Sequence, residues 1–107
     1  MSVTSKDYAS PQFLTGTFTS AGTPADVSET LPWSPSLVIC WLNISGTNPD
    51  MLVGTSAYET DSMTTTGSTG VITTPAVASG LDITTTGFTV DSTVQAANGV
   101  NFWIAFK

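Results

Sequence analysis

The last twenty-one residues, Gly87 to Lys107, constrain the fold more than any other stretch of the chain. Phe88 and Val90 alternate with Thr89 and Asp91, and further on Phe102, Ile104 and Phe106 alternate with Asn101, Trp103 and Ala105. A repeat of two residues is the pattern of a β-strand, so two strands are expected here. Between them Asn98-Gly99 tolerates positive φ and reverses the chain, which predicts a hairpin-like C-terminus with a long connection. The final strand carries large apolar side chains on both faces, so it is expected inside a sheet packed between layers.

Reading the chain from its start, Met1 to Pro11 is polar and without periodicity, an N-terminal arm preceding a single domain over residues 12–107. Gln12 to Thr19 reads as a first strand, closed by the turn Ala21-Gly22-Thr23-Pro24. Ala25 to Thr30 reads as a short edge strand on which Asp26 and Glu29 discourage unwanted pairing. Leu31-Pro32-Trp33-Ser34-Pro35 is a rigid, extended lead-in whose indole is expected to cap one end of the core. Ser36 to Asn43 is the strongest strand, apolar on both faces. Ile44 to Asp50 is dense in turn residues, and Met51 to Gly54 returns as a short strand. Thr55 to Gly70 ends in a run of threonine, serine and glycine, and its middle is expected to be a mobile surface loop. Val71 to Thr74 and Leu81 to Thr84 are further short strands. Seven to eight short antiparallel strands with no convincing helix predict an all-β fold, a β-sandwich or a jelly-roll-like barrel.

Charge narrows the function. Lys6 and Lys107 are the only basic side chains, arginine and histidine are absent, and the net charge is −6. A nucleic-acid groove or an anionic membrane surface needs basic residues, so neither partner is expected. Without histidine there is no Ser-His-Asp or Cys-His nucleophile, no ordinary zinc site and no neutral-pH proton shuttle. No cofactor motif is present, and the chain reads as a non-enzyme. Cys40 lies in the apolar run Leu37 to Leu42, where its ordinary role is that of a small buried hydrophobe. Asp50, Glu59 and Asp61 form the only acidic grouping close enough in sequence to consider for hydrolysis or calcium, but solvated loop acids are the common case. Asn43-Ile44-Ser45 matches a glycosylation acceptor in a chain whose N-terminus lacks the apolar core of a signal peptide. Trp33, Trp41 and Trp103 are expected in the core or at an interface; only a stacking platform on an exposed face would make them a sugar site.

Three stretches also carry a resemblance: Pro35-Ser36-Leu37-Val38-Ile39-Cys40-Trp41, Ile83-Thr84-Thr85-Thr86-Gly87-Phe88-Thr89-Val90, and Asn98-Gly99-Val100-Asn101-Phe102-Trp103-Ile104-Ala105-Phe106. In that order and spacing they resemble a β-sandwich module of tailed-bacteriophage structural proteins, in which a proline-led strand is followed by a G-F-T-V segment and a closing aromatic strand. A small acidic β-domain is also similar in size and class to capsid decoration, or cement, proteins. The resemblance implies a location on the virion surface, and an N-terminus without a signal-peptide core is expected to leave synthesis in the host cytoplasm. The implied partners are the major capsid protein and further copies of the chain as a homotrimer. A receptor- or carbohydrate-binding head module is the alternative. The residues expected at partner or oligomer contacts are Val3, Tyr8 and Pro11 of the arm, with Trp33 and Trp103.

Overall fold

The computed structural model describes residues 12–46, 49–56, 58–65, 72–73 and 80–107, with the side chains of 58–65 and 72–73 left undescribed. The arm residues Met1 to Pro11 lie outside the described residues. Nine strands are present among those described: β1 (Phe13–Thr19), β2 (Val27–Thr30), β3 (Leu37–Leu42), β4 (Asp50–Thr55), β5 (Tyr58–Thr65), β6 (Ile72–Thr73), β7 (Leu81–Thr84), β8 (Gly87–Val90) and β9 (Val100–Phe106). One turn of 3-10 helix, Ser92–Val94, follows β8.

The strands form two antiparallel sheets, one ordered β1-β9-β3-β4-β5-β6 and the other β2-β8-β7, so the fold is an all-β sandwich of two open sheets. The strands read from the sequence are found, with one difference. The stretch expected to be a surface loop contains β5, because Tyr58–Thr65 supplies the neighbour that β4 needs to satisfy its free edge. Residues 66–70, the rest of that expected loop, lie outside the described residues.

Alternation sets which side of each strand is covered. In β3 the buried residues are Val38, Cys40 and Leu42, and in β9 they are Asn101, Trp103 and Ala105. These meet Leu81, Phe88 and Val90 from the smaller sheet, with Leu52 of β4 and Leu31 completing the core. Phe88 stands edge-on to Trp103 at a centroid distance of 5.2 Å, a favoured aromatic geometry. Gly16 of β1 lies directly over the Trp103 indole, where any Cβ would collide with the ring. A glycine is what lets this edge strand close down on the largest core side chain.

The expected C-terminal hairpin is not formed. β8 belongs to the smaller sheet and β9 to the larger, so the connection between them crosses from one layer to the other. The reversal at Asn98 does occur, with φ 57 and a hydrogen bond from the Gly99 amide to the Ala96 carbonyl at 3.1 Å. It delivers β9 between β1 and β3, because a strand with two free edges and an apolar inner face is stabilised most by neighbours on both sides. The true hairpin partner of β8 is β7, joined through Thr85-Thr86, with Gly87 taking φ 154 against the Glu29 backbone.

One buried polar residue knits the end of the larger sheet together. Asn101 is 0% exposed; its Oδ1 accepts from the Asn43 amide at 2.9 Å, and its Nδ2 donates to Ser20 Oγ at 2.9 Å and to the Phe18 carbonyl at 3.3 Å. The ends of β1, β3 and β9 are thereby held by one side chain.

Candidate functional site

The larger sheet has a second face, and no described element covers it. Cross-strand register places Phe13, Phe106, Leu37 and Thr55 in one row. Thr15, Ile104, Ile39 and Val53 form the next, and Thr17, Phe102, Trp41 and Met51 the third. All the residues contributed by β9, β3 and β4 are half-buried, with no described element packed over them, and Phe13 is 56% exposed. Trp41 and Phe102 are paired at 5.5 Å between ring centroids and Phe13 and Phe106 at 6.4 Å, so one aromatic pair stands at a corner of the grid and the other in the middle of its third row.

Strands ~4.8 Å apart and same-face residues ~6.8 Å apart give this four-strand, three-row grid a footprint of roughly 400 Å². Patches of ~300–600 Å² are the largest on ordinary monomers and often functional. Composition sets this one apart. The only charged residue in β1, β3, β4 and β9 is Asp50, and alternation puts it on the side opposite Met51. Across these four strands the face is therefore apolar, aromatic and free of charge, with threonines at its β1 margin.

The described carboxylates other than Asp50 gather on the smaller sheet. Burial pushes the Asp82 carboxyl up from its ordinary value, and repulsion from Asp91 and Asp26 adds to the shift. Asp91 is held below its ordinary value by hydrogen bonds from the hydroxyl and amide of Thr93, at 2.6 and 2.8 Å. Asp26 accepts from the Ser92 amide at 2.8 Å. Among the described residues no group of His, Cys, Asp or Glu is arranged to hold a metal ion. Burial, with a smaller effect from Glu29, pushes the Cys40 thiol up to about 12, so it is protonated at neutral pH and is no nucleophile.

Of the residues expected at contacts, Val3, Tyr8 and Pro11 lie outside the described residues. Trp33 is half-buried and packs against the core. Trp103 is only 6% exposed and takes part in the core, so its ring is not offered to a partner. The tryptophan on the open face is Trp41, which the sequence reading placed in the core or at an interface. Of the acidic grouping, Asp50 starts β4, while the side chains of Glu59 and Asp61 lie outside the described residues. Asn43 of the glycosylation pattern is half-buried at φ 55, its side chain against Gly46 and Gly99.

The open face had a signal in the sequence: strands apolar on both sides. That signal was read as cover from two layers, yet among the described residues β2, β7 and β8 supply one further sheet. Among the described residues no helix is long and apolar enough to cross a membrane. Compared with known proteins, the chain matches no family model, no curated protein and no solved structure.

Proposed function

We propose that this chain is a structural virion protein, a capsid decoration protein that binds the outer capsid surface and stabilises the shell by bridging capsid subunits. The observation that carries the reading is the grid of β1, β9, β3 and β4 on the open face: apolar, aromatic and uncharged in a chain of net charge −6. Such a surface suits a protein partner, since burying it releases water without stranding a charge. Each copy seated across a subunit junction adds its own contacts to those that must break when the junction opens. The sequence resemblance supports the capsid as the partner, and a homotrimer is the assembly it implies.

The test is co-sedimentation of the purified chain with assembled capsids, wild type against Ile104→Lys. Ile104 lies in the middle row of the face, so the lysine is expected to cost the fold no more than about 1.5 kcal/mol of cross-strand packing. It should weaken capsid binding at least tenfold, because a desolvated, unpaired charge costs more than ~1.4 kcal/mol. Unchanged binding by the folded variant would refute the role of this face.

One observation favours a second reading. The Trp41 and Phe102 rings form an aromatic pair on the open face, the arrangement on which sugar rings stack. A glycan-array signal abolished by Trp41→Ala, with no capsid binding, would favour a carbohydrate-binding head module.

A further inference from the structure

Among the described residues β1 is an edge strand of the larger sheet, with no partner on the side of its backbone away from β9. The Lys107 amide donates to the Gln12 carbonyl at 2.9 Å and the Ser20 amide to the Gly99 carbonyl at 2.8 Å, which fixes the phase of the β1–β9 ladder. In an antiparallel pair the hydrogen-bonding residues alternate. Leu14, Gly16 and Phe18 therefore turn their peptide groups towards β9, and Phe13, Thr15, Thr17 and Thr19 turn theirs outwards.

Edge strands are ordinarily blunted by lysine, proline, a bulge or an inward charge. β1 has none of these: its sequence is FLTGTFT, and its register with β9 runs unbroken from Phe13 to Thr19. The smaller sheet shows the contrast, since its edge strands β2 and β7 carry Glu29 and Asp82. The sequence of β1 is also close to a palindrome about Gly16, with Leu14 and Phe18 outermost, Thr15 and Thr17 next, and glycine at the centre.

We propose that β1 is a strand-pairing surface whose partner is the β1 of a second copy, antiparallel about a twofold axis at Gly16. In this register Thr15 faces Thr17 of the other copy and Phe13 faces Thr19, and these are the residues whose peptide groups point outwards. Every free donor on the edge meets a free acceptor. On the inner side Leu14 faces Phe18 of the other copy. Both are only partly buried against the core in one chain, and the pairing covers them. The strand carries no charge, so two acidic chains meet along a neutral line. Glycine opposite glycine at the axis permits the close approach of a non-hydrogen-bonded pair. The open faces of the two copies then lie side by side in one continuous sheet. Such a contact closes at two copies, so it is the assembly of the free chain and is distinct from the threefold arrangement proposed on the capsid.

The experiment is sedimentation equilibrium of the full chain at about 100 μM, together with amide exchange along β1. Wild type is expected at twice its 11.1 kDa mass, with amides protected at both odd and even positions from 13 to 19. Thr17→Pro removes an outward donor that the β1–β9 ladder does not use, so the variant is expected to be folded but monomeric. Thr15→Lys blunts the edge by charge alone and should shift the dimer constant in the same direction by tenfold or more. Ile104→Lys, on the open face, should leave the dimer intact while losing the capsid, so the two readings fail separately. The proposal is overturned by a monomeric wild type with fast exchange at Phe13, Thr15, Thr17 and Thr19. It is equally overturned by a dimer or trimer that survives both edge variants.

Discussion

Asn101 shows how much can rest on a residue with no apolar surface. It is fully buried, satisfied on both its oxygen and its nitrogen, and joins three strand ends that are far apart in sequence. Replacing it with alanine leaves the Asn43 amide and the Ser20 hydroxyl without a buried partner and opens a small void. Asn101→Ala is expected to destabilise the fold by about 2–4 kcal/mol, read as a lowered midpoint in urea at unchanged m-value. The sequence shows an asparagine alternating with aromatic residues, and nothing in that pattern tells an inward amide from an outward one. The same limit applies to Trp41 and Trp103. Each sits on a strand apolar on both sides, and only the pairing of β3 and β9 with their neighbours decides which ring enters the core.

Strands were legible where the alternation was strong, as in β1, β3, β7, β8 and β9. Their pairing was not. The hairpin expected between β8 and β9 rested on adjacency and on a turn signal at Asn98-Gly99, and both are local. Sheet membership is a long-range property: β9 gains two neighbours from β1 and β3, one at the other end of the chain, and no local pattern encodes that choice. β5 was missed because threonine and serine suit an exposed strand as well as a loop. The arrangement predicts an order of local stability. Amides of β9 and of β3, each hydrogen-bonded on both sides, should be the slowest to exchange, and those of β2, an edge strand of the smaller sheet, should exchange sooner. Slower exchange in β2 than in β9 would contradict the topology. Ending the chain before Asn101 should abolish folding, measured as loss of the cooperative thermal transition, because it removes the strand that binds β1 to β3.

At the scale of the whole molecule the two layers differ in chemistry as well as in size. Burial raises the carboxyls of Glu29 and Asp82, so each binds its proton more tightly in the folded chain than in the unfolded one. Their contribution to stability is complete below the unfolded value and is lost as pH rises through the folded value. Asp91 acts in the opposite sense: its contribution is present above the unfolded value and disappears as pH falls through its depressed one. Thermal unfolding is therefore expected at a higher temperature near about pH 4–5 than at pH 7, and to fall again on further acidification. Asp82→Asn should raise the transition at pH 7 and remove part of that rise. The grouping of Asp26, Asp82 and Asp91 at the smaller sheet, with the neutral grid of β1, β9, β3 and β4 on the larger one, also gives the described part of the molecule an electrical front and back. A shell coated through the neutral side would wear the acidic side outermost, each copy bringing a net charge of −6. Such particles would run faster towards the anode in an agarose gel than bare ones and would repel one another in suspension, so the coat would act as a colloidal stabiliser of the particle population.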